Sequence, residues 1–122
     1  MSSLVKANEM VKIAYDAIMD KKAEDIRIID ISGVSTIADY FIICDGSNSS
    51  QVQAIQANVD EQLGRAGFMP LRVEGVRSAN WILMDYGDVV VHIFSKEDRL
   101  FYDLERIWKD GKELSVEDID NL

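Results

Sequence analysis

The stretch Trp81-Ile-Leu-Met-Asp-Tyr-Gly-Asp-Val-Val-Val-His-Ile-Phe94 constrains the fold of this chain more than any other. Two apolar segments meet at Gly87-Asp88, and glycine supplies the positive φ that a two-residue hairpin turn needs. The turn sets the register: Tyr86 faces Val89, Met84 faces Val91, and Ile82 faces Ile93. These six residues share one side and all carry large apolar groups, so that side is expected beneath helices. The other side carries Trp81 against Phe94, Leu83 against His92, and Asp85 against Val90. Half apolar and half polar, it matches neither a dry core nor a plain solvated face.

The rest of the chain reads as cover and partners for this hairpin. Residues 4–19 repeat apolar side chains at helical spacing, with Leu4, Ala7, Val11, Ala14, Tyr15 and Ile18 on one stripe. Lys21 and Lys22 follow, where positive charge suits a helix C-terminus. Residues 25–31 alternate and are rich in β-branched side chains, which predicts a strand broken at Ser32-Gly33. Residues 38–44 are almost continuously apolar, as expected of an interior strand covered on both faces. A cluster of turn and capping residues, 45–50, precedes a second helix from about 50 to 65. Its buried stripe is Val52, Ile55, Val59 and Leu63, its cap is Asn48 with Gln51 or Ser50 with Gln53, and Gly67 ends it.

Residues 69–74 predict a short strand, and Pro70 at its start suits the edge of a sheet. After the hairpin, Ser95 with Asp98 opens a third helix through residue 109, with Leu100, Leu104, Ile107 and Trp108 on its apolar stripe and Gly111 just past its end. Residues 112–122 are acidic and read as a mobile or loosely docked tail after a single domain spanning 1–111. The order predicts an α/β domain with a mixed five-stranded sheet and helical cover.

At 122 residues the chain is long enough to bury a core without disulfides. No apolar run reaches the ~20 residues needed to cross a bilayer, so no membrane role is expected. The first residues lack the basic start and apolar stretch of a secretory signal, and Cys44 is the single cysteine, so a reduced, cytoplasmic setting is expected. The net charge of −9 argues against nucleic-acid binding through phosphates; it allows a basic protein partner, with a role in solubility alone as the stronger reading.

Two constellations resemble catalytic machinery. Asp45-Gly46-Ser47, at the end of a strand and opening a helix, has the form of a phosphate-binding turn, as in nucleotidyltransferases. Those enzymes place paired acidic residues on the next strand to hold metal ions, whereas here that strand offers Glu74 alone, preceded by Arg72. Asp60 and Glu61 are adjacent on a helix, where neighbouring side chains diverge. A cap-and-turn role is therefore the stronger reading, with a nucleotide-binding enzyme of nucleotidyltransferase type as the alternative. His92, the single histidine, stands diagonally across from Asp85 in the manner of an oriented general base. It lacks a nucleophile, since Cys44 sits on a different strand, and a structural or contact role is favoured. No cofactor or metal is expected.

Asp39-Tyr-Phe-Ile-Ile-Cys-Asp-Gly-Ser47 with Gln51-Val52, then Glu74-Gly75, the 81–94 stretch, Arg99 through Tyr102, Leu104-Glu105 and Trp108-Lys-Asp110 strongly resemble the ribosomal silencing factor, or Iojap, family. The likeness runs from about residue 7 to 111 in the same order and spacing, and the hairpin is its most specific part. It implies a nucleotidyltransferase-like fold without catalysis. It also implies a translational repressor that binds the large ribosomal subunit through ribosomal protein number fourteen and sterically blocks joining with the small subunit. Such factors also self-associate when free, which implies a homodimer as a second state.

Carried onto this chain, the resemblance implies a contact surface on the hairpin's outer face and its flanks. Trp81 is the expected anchor and Leu83 a second apolar contact. Asp85 and Glu74 are expected to meet basic side chains, with Tyr86 and Arg77 at the rim. Tyr86 is also claimed by the core, since its strand phase places it with Met84 and Ile82. Two positions depart from the family pattern: Asp45, where many members carry Ser or Thr, and Gly111, where Ala often closes the last helix.

Overall fold

The computed structural model describes residues 3–33, 36–102 and 111–122, with side chains described for 6–33, 36–99 and 111–122. Helix α1 (Ser3–Asp20) leads into strand β1 (Glu24–Asp30), and strand β2 (Tyr40–Gly46) into helix α2 (Ser49–Arg65). Strands β3 (Arg72–Glu74), β4 (Trp81–Asp85) and β5 (Val89–Ser95) follow, then helix α3 (Lys96–Tyr102). Strand β6 (Lys112–Leu114) and helix α4 (Val116–Asp120) complete the chain. The expected continuation of α3 through residue 109, with Leu104, Ile107 and Trp108 on its stripe, lies outside the described residues, as does the side chain of Leu100.

The strands form one mixed sheet in the order β3-β4-β5-β2-β1-β6. β2 and β5 run parallel at its centre, and every other neighbouring pair is antiparallel. All seven residues of β2 are buried, as its unbroken apolar run predicts. The hairpin register follows from turn chemistry: Trp81 pairs with Phe94, Ile82 with Ile93, Leu83 with His92, Met84 with Val91, and Asp85 with Val90. Gly87 sits at φ +88° in the turn, and the Asp85 carboxylate accepts the Gly87 N–H at 2.8 Å.

Helices α1 and α2 cover one face. Ala7, Val11, Ala14 and Ile18 of α1 and Val52, Ile55, Val59 and Leu63 of α2 pack there on Ile82, Met84, Val89, Val91 and Ile93. Asn48 caps α2 by accepting the Gln51 N–H at 2.8 Å, which selects one of the two expected caps. Gln51 in turn accepts from the Ser47 N–H at 2.6 Å and donates to the carbonyl of Lys22 at 2.9 Å, joining the end of α1 to the start of α2. Asn58 is a buried polar residue that periodicity does not single out; its amide donates to the Ala17 carbonyl at 2.8 Å, satisfying a carbonyl in the last turn of α1.

The expected five-stranded sheet is corrected to six. Lys112–Leu114, expected in a loosely docked tail, pairs antiparallel with β1, with Leu114 opposite Ile28 and Lys112 opposite Asp30. Helix α4 then turns back with a reciprocal cap between Ser115 and Asp118, and it buries Ile119 in the helix-side core. The free edge of β1 supplies backbone partners that three charged or lone apolar residues do not announce in sequence.

A candidate protein-binding face on the hairpin

The second face of the sheet holds a smaller apolar cluster of Ile29, Ile31, Ala38, Phe41, Ile43, Val90 and Phe94, with half-buried Trp81 and Leu83 packed against it. Strand parity places Trp81, Leu83 and Asp85 on this face, and the β3–β4 register sets Glu74 opposite Leu83 and Arg72 opposite Asp85. Four of the six expected contact residues are thus gathered at one end of one face. Arg77 is exposed in the connection between β3 and β4.

Tyr86 does not join them, and its expected rim position is corrected. Its parity is that of Met84 and Ile82, so its ring lies in the helix-side core at 8% exposure. Burial, reinforced by the Asp60 carboxylate, raises its phenol above the usual range. Its hydroxyl has no hydrogen-bond partner among the described residues.

Trp81 is held by β5. Its indole stacks on Phe94 with ring centroids 5.2 Å apart and planes inclined by 24°, and its Nε1–H donates to Nδ1 of His92 at 3.0 Å. His92 therefore bonds Trp81, not Asp85 as its diagonal position in the sequence suggests. Both residues are diagonal neighbours of His92, and strand twist brings one diagonal close while carrying the other away. The complementary donor and acceptor on Trp81 and His92 were the available signal. The ring of His92 also lies 4.7 Å from that of Phe41.

Burial pushes His92 down from 6.5 to about 4, against a smaller upward pull from Asp85. Between those values the unfolded chain binds the proton that the folded chain refuses, so stability falls as pH falls through that window. Acidification from pH 7 to pH 5 should remove about 2 kcal/mol through this group. Urea unfolding at the two pH values checks this, and His92→Asn should flatten the difference.

Asp85 divides its carboxylate. One oxygen sets the hairpin turn, and the other stands 3.6 Å from Nε of Arg72, whose guanidinium also lies 3.8 Å from Glu74. Arg72 is a member of this face that the sequence reading did not assign to it. It moderates the negative charge offered by Glu74 and Asp85, and at this exposure such pairs are weak enough to exchange partners.

The connection before Trp81 is anchored by Gly75. Its φ is +84°, and a Cβ there would fall 2.1 Å from the carbonyl oxygen of Trp81. Gly75→Ala should therefore lower stability by about 3 kcal/mol, combining left-handed strain with overpacking. Thermal unfolding checks it; a loss below about 1 kcal/mol would show that the connection relaxes freely.

At the C-terminal ends of β2 and β5, Ser47, Asn48, Asn80, Ser95, Lys96 and Asp98 line a cleft of about 220 Å³. Strand ends of this kind are where nucleotides bind in open α/β sheets. Here the Ser47, Gln51 and Val52 N–H groups already donate to Gln51 and Asn48, which fits the cap-and-turn reading. Beneath the cleft, Asp45 forms a buried ion pair with Arg99 of α3 at 3.2 Å. Among the described residues no cluster of three or more His, Cys, Asp or Glu side chains is placed to hold a metal ion. No described helix is long and apolar enough to cross a membrane.

A family model described as "Ribosomal silencing factor during starvation" matches residues 5–122. The ribosomal silencing factor RsfS of Bacillus subtilis is 46% identical over 102 residues, covering 84% of this chain and 86% of that protein. A crystal structure from Bacillus halodurans superposes with a TM-score of 0.80 at 38% identity, covering 88% of this chain and 98% of that one. A Chromobacterium violaceum structure gives a TM-score of 0.81 at 36% identity, covering 88% of each chain.

Proposed function

This chain belongs to the ribosomal silencing factor family, and from that premise we propose that it represses translation by docking its Trp81 face on the large ribosomal subunit. The docking partner in this reading is ribosomal protein number fourteen, a small basic protein, and occupancy of that site sterically blocks joining with the small subunit. The domain is then a nucleotidyltransferase-like scaffold used as a binding surface, acting in the cytoplasm without catalysis.

The observation that carries this reading is the composition of the face. A half-buried Trp stacked on Phe94 lies beside a half-buried Leu83, with Glu74 and Asp85 on the same side. Aromatic anchors flanked by polar rims are the usual energetic centres of protein interfaces. The acidic rim and the net charge of −9 suit a basic partner and speed encounter with it.

Sucrose-gradient sedimentation tests the proposal. Added to separated subunits, the protein should travel with large subunits and reduce the fraction that joins small subunits. Unchanged joining at saturating protein would overturn the reading. At the rim, Glu74→Ala should weaken binding roughly threefold, mainly through slower association at low salt. Surface-immobilised large subunits provide the rate measurement, and a change confined to dissociation would contradict the proposed steering role.

A further inference from the structure

We infer that His92 is a positioning residue for binding: through Nδ1 it fixes the orientation of the Trp81 indole on the docking face. The inference rests on the reading of that face as the ribosome-binding surface.

Trp81 occupies the first position of β4, and the short β3 pairs only with Leu83, Met84 and Asp85. Two of its ring contacts come from β5, Phe94 by stacking and His92 by a hydrogen bond. Stacking on Phe94 bears on the plane of the indole. The hydrogen bond from Nε1–H to His92 Nδ1 is directional and bears on rotation within that plane.

His92 is itself suited to act as a fixed acceptor. It is 4% exposed, its β4 partner is Leu83 and its β2 neighbour is Ile43, and its ring is close to Phe41. Because Nδ1 accepts from Trp81, the single proton of the neutral ring resides on Nε2. That atom is buried with no hydrogen-bond partner among the described residues. A buried polar group left half-satisfied opposes stability, and an aliphatic residue would fill this apolar site without that penalty. Among the described residues, the one hydrogen bond made by the His92 side chain is the one to Trp81. An anchor already held in its bound orientation loses less freedom on docking, which raises affinity without adding a contact.

The test compares His92→Leu, His92→Asn and Trp81→Ala for binding to purified large subunits. It also follows hydrogen exchange of the Trp81 indole N–H by NMR, the resonance being assigned by its loss in Trp81→Ala. His92→Leu, which removes the acceptor and keeps apolar volume, should bind about tenfold more weakly and exchange its indole proton faster. His92→Asn, whose Oδ1 stands in for Nδ1, should recover affinity to within about threefold of the unmodified protein. Full-strength binding by folded His92→Leu, with Trp81→Ala impaired, overturns the positioning inference and leaves the docking face standing. Full-strength binding by Trp81→Ala overturns the docking face itself. Should His92→Leu fail to fold, the unmodified protein decides: a protected indole proton supports the inference, and one exchanging as fast as free indole overturns it.

Discussion

Replacing Trp81 by alanine should leave the domain folded and weaken its binding to large ribosomal subunits about 30-fold or more. A buried aromatic anchor at an interface centre typically contributes ~2 kcal/mol or more, which is a factor of about 30 in affinity. The fold should survive because Trp81 is half-buried, at the margin of the smaller cluster, whereas the main core is built from Ile82, Met84, Val91 and Ile93 on the opposite face. Co-sedimentation across a protein titration measures the loss, with circular dichroism confirming the fold. Co-sedimentation equal to that of the unmodified protein would remove Trp81 from the contact.

Arg99→Met should be the most damaging of the proposed substitutions for stability, at about 4 kcal/mol. Its guanidinium is 7% exposed and lies 3.2 Å from the buried Asp45 carboxylate; it also contacts Asp25 at 3.3 Å and donates to the Asp25 carbonyl. Removing the cation leaves Asp45 in a low-dielectric setting without its charge partner, a change that costs about 3–5 kcal/mol in buried pairs. Arg65→Met provides the contrast. The Arg65–Glu61 pair is shorter, at 2.7 Å, yet its side chains are 70% and 54% exposed, so its loss should stay within ~0.5 kcal/mol. Urea unfolding of the two variants gives both values. A loss below about 1 kcal/mol for Arg99→Met would mean that the pair is solvated in the folded protein.

This ion pair also explains one departure of the chain from its family resemblance. Asp45 occupies a position expected to carry Ser or Thr, and its carboxylate is matched by a cation 54 residues away. The parallel pairing of β2 with β5 brings Gly46 level with Ser95, and α3 begins at the next residue. Arg99, the fourth residue of α3, thereby reaches back to the end of β2.

The hairpin was legible almost completely. Alternation of period two and a glycine turn specify both the pairing of residues 81–85 with 90–94 and the side that faces the helices, and each pair occurs as expected. The apolar stripes of α1 and α2 were equally plain, because helical period and burial are written in the same residues. The gathering of Trp81, Leu83, Asp85 and Glu74 on one face also follows from parity and register. Tyr86 illustrates the strength of that rule: its strand phase places it in the core, against the rim position implied by the family resemblance.

Tertiary structure alone decided the remainder. Lys112–Leu114 becomes a strand because β1 offers it an open edge, not because its three residues have a pattern of their own. His92 meets Trp81 and not Asp85 because the twist of a strand pair makes its two diagonals unequal. Arg99 finds Asp45 through the adjacency of two parallel strands. Turn chemistry, helix capping and side-chain period act over a few residues and are carried by the sequence itself. Edges, diagonals and buried charge pairs depend on which distant segments become neighbours, and that is settled only when the sheet closes on its core.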